Sequence, residues 1–208
     1  MPTLYYAPGA CSFASHVILR TLEASHGLKP EFVSVKLRQE DPTIHQVNPL
    51  GRVPTLKLDT GELLTENGAI LPYLGDFIPE AGLFAPAGTV ERARIQEWIG
   101  FINSDIHYAF RPIGRPEFYN VNTETHDVIR NQGLAHLTKL LNHIEKRLTN
   151  LTWAVGERFT IADAYLGYFL RNLARVNIST DQLPAINAYV ARYSALPDVI
   201  AATEAEKI

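Results

Sequence analysis

Period-two alternation and i,i+4 spacing take turns over the first third of the chain, and only the i,i+4 spacing persists after it. The segment TLYY is short, apolar and aromatic and ends at Pro8-Gly9, which predicts a strand running into a turn. Phe13 and Val17, and Ala14, Ile18 and Leu22, then recur at helical spacing until Gly27, with Ser12 placed to accept amide hydrogens at the N-cap. In EFVSVKL, Val33, Val35 and Leu37 alternate with Ser34 and Lys36, as in a half-buried strand. Thr55 to Leu58 and Glu62 to Thr65 flank the turn DTG as the arms of a hairpin do. Glu66 and Asn67 open an apolar helix whose predicted inward face carries Ile70, Tyr73, Leu74 and Phe77. Residues 1–79 therefore read as β-α-β followed by β-β-α, a mixed sheet covered by helices.

The stretch PEAGLFAPAG, Pro79 to Gly88, holds two prolines and two glycines, which predicts a linker over residues 80–88 and an N-cap at Thr89. Beyond it the pattern is helical. Ile95, Trp98, Ile99, Ile102 and Ile106 form one stripe, and Leu134, Leu137, Leu141, Ile144 and Leu148 form another. In TIADAYLGYFL a Thr160/Asp163 capping box precedes an apolar run, so a buried helix is expected to start there. Further helices are expected from Pro184 to Leu196 and after Pro197, which makes residues 89–208 an all-α domain behind an α/β one.

Composition narrows the function. Of 208 residues 46% are hydrophobic and 20% charged, ordinary globular usage, and the net charge of -3 offers no broad basic field for nucleic acid. The start shows no cationic segment followed by an apolar one, and no apolar run is long enough to span a membrane, so a soluble cytoplasmic protein is expected. Cys11 is the single cysteine, which excludes an internal disulfide and a multi-thiolate zinc site. His136 and His143 lack carboxylates at matching offsets, so no metal is expected.

Several constellations carry chemistry, and each also has a plainer structural reading. Cys11 stands where a helix begins; unpaired amides there favour thiolate, although a free cysteine is as readily a small buried hydrophobe. In RVPT, Pro54 cannot donate to the sheet, and a cis bond before it would turn the Val53 peptide toward a ligand; base rates favour trans. Glu66 and Asn67 can serve the two ends of an amino-acid group, the carboxylate gripping an ammonium and the helix amides an anion, or they can simply cap. Gly100, Asn103, Ser104 and His107 share one helix face, either solvated or lining a cleft in which His107 does acid–base work.

The order of these features, with YYAPGACS, NPLGRVPTL, LTENGAILPYL, EWIGFINSDIHYAF and FTIADAY, resembles the glutathione transferase superfamily over essentially the whole chain, and most of all its bacterial beta class. The resemblance implies a thioredoxin-like, glutathione-binding first domain, a helical second domain and a homodimer. It implies that Glu66 and Asn67 hold the γ-glutamyl end, and that Val53 pairs with the cysteinyl unit before a cis Pro54. By the same resemblance Lys36 and Arg52 lie near the glycyl carboxylate, and Ser104 and Asp105 reach the glutathione of the other subunit. Cys11 and His107 are the implied catalytic pair, with Tyr6 and Ser12 flanking the thiol. The implied activity is conjugation of glutathione to small hydrophobic electrophiles, with thiol–disulfide exchange or peroxidase chemistry at Cys11. Pocket walls from Tyr108, Phe110 and Phe118 would select the electrophile by shape. Gly100, Tyr108 and Asn172 depart from the class pattern of asparagine, lysine and tryptophan, which suits an alternative: a binding protein of the same fold that holds glutathione or apolar ligands without turnover. A dimeric module that docks a partner protein is the third reading.

Overall fold

The computed structural model describes residues 1–37 and 42–208. Four strands form one sheet in the order β2-β1-β3-β4. β1 (Thr3–Tyr6) pairs in parallel with β2 (Glu31–Ser34) and antiparallel with β3 (Thr55–Lys57), and β3 pairs antiparallel with β4 (Leu63–Thr65). A parallel pair needs a crossover, which α1 (Phe13–His26) supplies. It stops at Gly27, whose φ of 69° lets Gly27 N–H reach the Glu23 carbonyl and Leu28 N–H reach that of Leu22. Alternate residues of β1 point to opposite faces: Leu4 and Tyr6 join the main core with α1 and α3 (Asn67–Phe77), whereas Tyr5, and Ala7 just past the strand, meet a smaller cluster around Ile44 and Val53. Val33, Val35 and Leu37 all pack on that smaller cluster, as their alternation predicts, although β2 ends at Ser34 and only Val35 continues the ladder, to the Tyr6 carbonyl at 2.8 Å.

Two features differ from expectation. The polar segment after β2 contains a short helix, α2 (Pro42–Val47), whose one buried residue is Ile44; a single apolar anchor leaves no period to read. On α3 the buried stripe is Ile70, Leu71, Leu74 and Gly75, while Tyr73 is half-buried and Phe77 is 43% exposed. The stripe is turned because Phe84 packs onto Gly75, where an added Cβ would stand 2.8 Å from the Phe84 Cβ.

Around that contact the segment after α3 is packed: Leu83, Phe84 and Ala85 are buried, and the Leu83 carbonyl accepts the Ile161 N–H at 3.0 Å. The Arg92 guanidinium lies 3.7 Å over the Phe84 ring and forks onto Asp76 at 2.8 and 2.6 Å. One core runs through both halves of the chain.

The helical half comprises α4 (Val90–Phe101), a π turn (Ile102–Ile106), α5 (His107–Gly114), α6 (His126–Leu148), α7 (Ile161–Arg171), α8 (Pro184–Ser194) and α9 (Pro197–Glu206). Thr89 caps α4 by accepting the Arg92 N–H, as its position predicts. Of the two predicted stripes every member is buried except Leu134, which is half-buried. α7 is the central helix, packed on α1, α4 and α8. Its capping box forms: Asp163 accepts from the N–H and hydroxyl of Thr160, and also from Ala154 N–H and the Tyr189 hydroxyl. Among the described residues no helix is long and apolar enough to cross a membrane.

Candidate functional site

Three segments converge on the thiol. The first is the β1–α1 turn, where Gly9 adopts a φ of 72° and the Ala10 N–H closes on the Ala7 carbonyl at 3.0 Å. Cys11 follows, two residues before the first residue of α1. Ser12 does not cap that helix. Its φ of -57° and ψ of -18° are already helical, whereas a capping side chain needs an extended backbone. Instead its buried hydroxyl accepts Ala7 N–H at 3.2 Å and meets the Ala7 carbonyl at 3.4 Å, locking the turn to the end of β1. Tyr6 is buried as well, its ring 5.0 Å from that of His16.

The second segment is the approach to β3. The Cys11 thiol donates to the Val53 carbonyl at 3.6 Å, and the Val53–Pro54 bond is cis, against the base rate that governs the sequence alone. Asn48 Nδ2 and the Thr55 hydroxyl both donate to the Arg52 carbonyl, at 2.9 and 3.2 Å, which fixes this loop while the Arg52 side chain stays exposed. Lys36, just past β2, is exposed too.

The third is the start of α3. Asn67 is 2% exposed and spends its whole amide inside the protein: Oδ1 accepts from the Ser15 hydroxyl at 2.7 Å, and Nδ2 donates to the Cys11 carbonyl at 2.9 Å. Its side chain therefore ties the start of α3 to the turn that carries the thiol. Glu66 precedes it, exposed, in the left-handed region at a φ of 68° that costs a non-glycine residue about 1 kcal/mol or more. Both Ala69 and Ile70 donate to the Glu66 carbonyl, so the amides just ahead of them begin the helix without intrahelical acceptors.

The polar face of α4, the π turn and α5 closes the site. A Cβ on Gly68 would stand 2.6 Å from Asn103 Nδ2, which measures how closely this face meets the start of α3. The buried Tyr165 donates its hydroxyl to Asn103 Oδ1 at 2.9 Å, and the Tyr165 phenol oxygen lies 3.3 Å from Nδ1 of His107, whose ring rests 5.1 Å from that of Phe169. The Tyr168 hydroxyl donates to the Gly9 carbonyl at 3.0 Å, tying α7 to the thiol turn. On the π turn Ser104 donates to the Gly100 carbonyl and to Asp105 Oδ2. Asn103 belongs to the polar helix face that the sequence offers as a cleft lining, whereas Tyr165 and Tyr168 are not among the site residues read from the sequence. The signal was there in a buried-helix pattern carrying two tyrosines, whose hydroxyls need partners once buried.

Electrostatics reverse one expectation. The Cys11 thiol is pushed up from 9.0 to about 12, by burial first and by the Glu66 carboxylate second; the amides of Cys11 and Ser12 act in the opposite direction but do not prevail. The helix start is a weaker influence here than desolvation, so the ligand-free chain keeps a neutral thiol. His107 is held below its usual value by desolvation, then by the Arg111 and Arg52 guanidiniums, and is a neutral imidazole at pH 7. Burial, with the neighbouring Cys11, keeps the Tyr165 and Tyr168 phenols protonated as donors. With the Tyr165 hydrogen on Asn103, Nδ1 of His107 carries the hydrogen that meets the phenol oxygen, and Nε2 is left as the basic nitrogen.

No group of three or more His, Cys, Asp or Glu able to hold a metal occurs among the described residues. A separate hollow of about 420 Å³ beside Trp98, Glu97 and Arg147 contains none of these site residues.

Comparisons with known proteins agree with this architecture. The family model described as glutathione S-transferase, N-terminal domain, matches residues 1–80, and that for the glutathione S-transferase C-terminal domain matches residues 101–197. The chain is 37% identical to glutathione S-transferase GstA of Escherichia coli O157:H7, covering 98% of each. It superposes with a TM-score of 0.88 on a sphingomonad glutathione S-transferase complexed with glutathione, at 34% identity and 99% of each chain. With the bacterial beta class glutathione S-transferase of Sphingomonas chungbukensis the TM-score is 0.86, at 35% identity and 98% of each chain.

Proposed function

The chain belongs to the glutathione S-transferase family, and from that premise we propose that it conjugates glutathione to small hydrophobic electrophiles, with Cys11 as a partner in thiol–disulfide exchange. The observation that carries this reading is the meeting of three segments at one sulfur: Cys11 Sγ is 3.6 Å from the Val53 carbonyl, and Asn67 at the head of α3 holds the Cys11 carbonyl at 2.9 Å.

In this reading Glu66 takes the ammonium of the γ-glutamyl unit and the leading amides of α3 take its carboxylate, the charge pattern that a helix start favours. The peptide of Val53 pairs with the cysteinyl unit, whose N–H competes with the Cys11 thiol for the same carbonyl oxygen. Lys36 and Arg52 receive the glycyl carboxylate. Asn67 and Ser12 act as positioning residues through the bonds described above, while Ser104 and Asp105 serve the other protomer of a cytoplasmic homodimer. An ammonium on Glu66 also neutralises the second cause of the raised Cys11 value, so ligand and thiol reactivity are coupled.

Two reactions follow. In conjugation the glutathione sulfur attacks an electrophilic carbon; a C–S bond forms, the bond to the leaving group breaks with its electron pair, and the thiol proton passes to solvent or to Nε2 of His107. In exchange the Cys11 thiolate attacks the disulfide of oxidised glutathione, a mixed disulfide forms and one glutathione thiolate leaves.

Calorimetry with glutathione and turnover of an activated haloarene test the first reaction, and intact mass after treatment with oxidised glutathione tests the second. Binding, turnover and a single adduct missing from Cys11→Ala are expected. Binding without turnover above the buffer rate would make the chain a carrier and not a transferase.

A further inference from the structure

Most arginines of the described chain end on carboxylates. Seven of them reach an Asp or Glu oxygen at 3.7 Å or less, among them Arg92 on Asp76 and Arg115 on Glu117. Arg111 does not. It is exposed on α5, its guanidinium has no carboxylate or hydrogen-bond acceptor among the described residues, and its only contact of note is the Phe118 ring at 5.1 Å.

Its surroundings are equally unusual for solvent. Tyr108, Phe118 and Tyr119 are 58%, 61% and 43% exposed, and the Tyr108 and Tyr119 phenols interact with each other. Such a cluster of large exposed rings marks a surface that a ligand or partner covers. Arg111 follows His107 by four residues on the same helix, so the two share a face. Beneath that face Phe169 touches the rings of His107 and Phe110 at 5.1 and 5.2 Å, an aromatic floor.

Charge accounts for the rest. Arg52 and Arg111 both disfavour a proton on His107, so both guanidiniums lie within electrostatic reach of that imidazole. In the reading above, on which this inference rests, Arg52 is engaged by the glycyl carboxylate of glutathione. Arg111 is left, among the described residues, as a cation without a carboxylate partner, one helical turn from His107 and next to the Phe118 ring.

We propose that Arg111 is a specificity-determining residue that selects electrophiles carrying an anionic substituent on an aromatic or conjugated body. The rings take the body of the substrate, and the guanidinium fork takes a carboxylate bidentately or a sulfonate or phenolate oxygen singly. The bond that forms is still carbon to glutathione sulfur, with the leaving group departing as its anion; Arg111 orients the substrate and takes no part in proton transfer.

The test compares a chlorodinitrobenzoate with its uncharged primary amide as substrates of the intact protein with glutathione, in wild type, Arg111→Gln and Arg111→Lys. Loss of the guanidinium is expected to lower kcat/KM for the benzoate about tenfold, mainly through KM, and to leave the amide within about twofold. Lysine is expected to restore part of the preference. In wild type the benzoate preference should shrink between about 0.05 M and about 0.5 M salt, a readout that needs no variant. Equal losses on both substrates, or a salt-independent preference, would overturn the assignment. Were neither substrate turned over, the transferase reading would fail, and titration with the unreactive dinitrobenzoate would then decide this one. Affinity weakened about fivefold in Arg111→Gln upholds an anion site, and unchanged affinity removes it.

Discussion

His16 and Glu206 stand 190 positions apart in the chain and 2.8 Å apart in space, with both side chains wholly buried. His16 lies between the rings of Tyr6 and Phe32, at 5.0 and 4.3 Å, and presents Nδ1 to the carboxylate. The other oxygen of Glu206 accepts the N–H of Gly9 at 2.9 Å. A residue of α9 thereby pins both α1 and the turn that carries Cys11.

Truncating that carboxylate leaves the buried Nδ1 of His16 and the part-buried N–H of Gly9 without their partner. Glu206→Ala is expected to lose about 3 kcal/mol of unfolding free energy, seen as a lower urea midpoint at unchanged slope. Glu23→Ala, which removes the surface pair with Arg20, is expected to lose less than about 1 kcal/mol. Similar losses for the two variants would show that the Gly9–Glu206–His16 bridge is energetically idle.

A thiol held near 12 exposes only about one part in 10⁵ as thiolate at pH 7. Alkylation of Cys11 in the ligand-free protein, followed by mass spectrometry, should therefore rise about tenfold per pH unit from neutrality to beyond pH 9 without levelling. Glu66→Gln removes the second cause of the shift and should move the profile toward lower pH. A plateau reached below pH 9 would mean that the helix-start amides prevail after all.

Burial raises the Asp163 carboxyl from 3.8 to about 6, against the four donors that favour its ionised form. Between those values the folded chain retains a proton that the unfolded chain has released, so stability falls as pH rises. The contribution is complete below about pH 4 and lost through about pH 6, a difference of about 3 kcal/mol. Asp163→Asn has no group titrating there. The unfolding free energy of wild type minus that of the variant should decline by roughly that amount across the interval, measured by denaturant titration at each pH. A difference that stays constant with pH would contradict the shift.

What the sequence disclosed was periodic or local. The isoleucine stripe from Ile95 to Ile106, the Thr160/Asp163 box and the stop at Gly27 each depend on neighbours within a few residues, and each stands as read. What it concealed depends on distant partners. Nothing near Asn67 announces that Ser15 and Cys11 will consume its amide, and nothing near Cys11 measures how much water the fold removes from its sulfur. Spacing alone places Phe77 inward, yet it is 43% exposed, and Phe84 packs against Gly75 two residues earlier. Glu206 gave no local sign at all, because its partners His16 and Gly9 lie at the opposite end of the sequence.

Gly75 has a broader meaning for how such a chain can be cut or recombined. Because Phe84 fills the space that a side chain would otherwise take there, and Ile161 also crowds that spot, the two halves are keyed to each other like a mortise and tenon. A fragment ending near Gly82 would carry an empty notch, and the remainder a bare phenylalanine. Grafting either half onto a foreign counterpart would require that joint to be recut first.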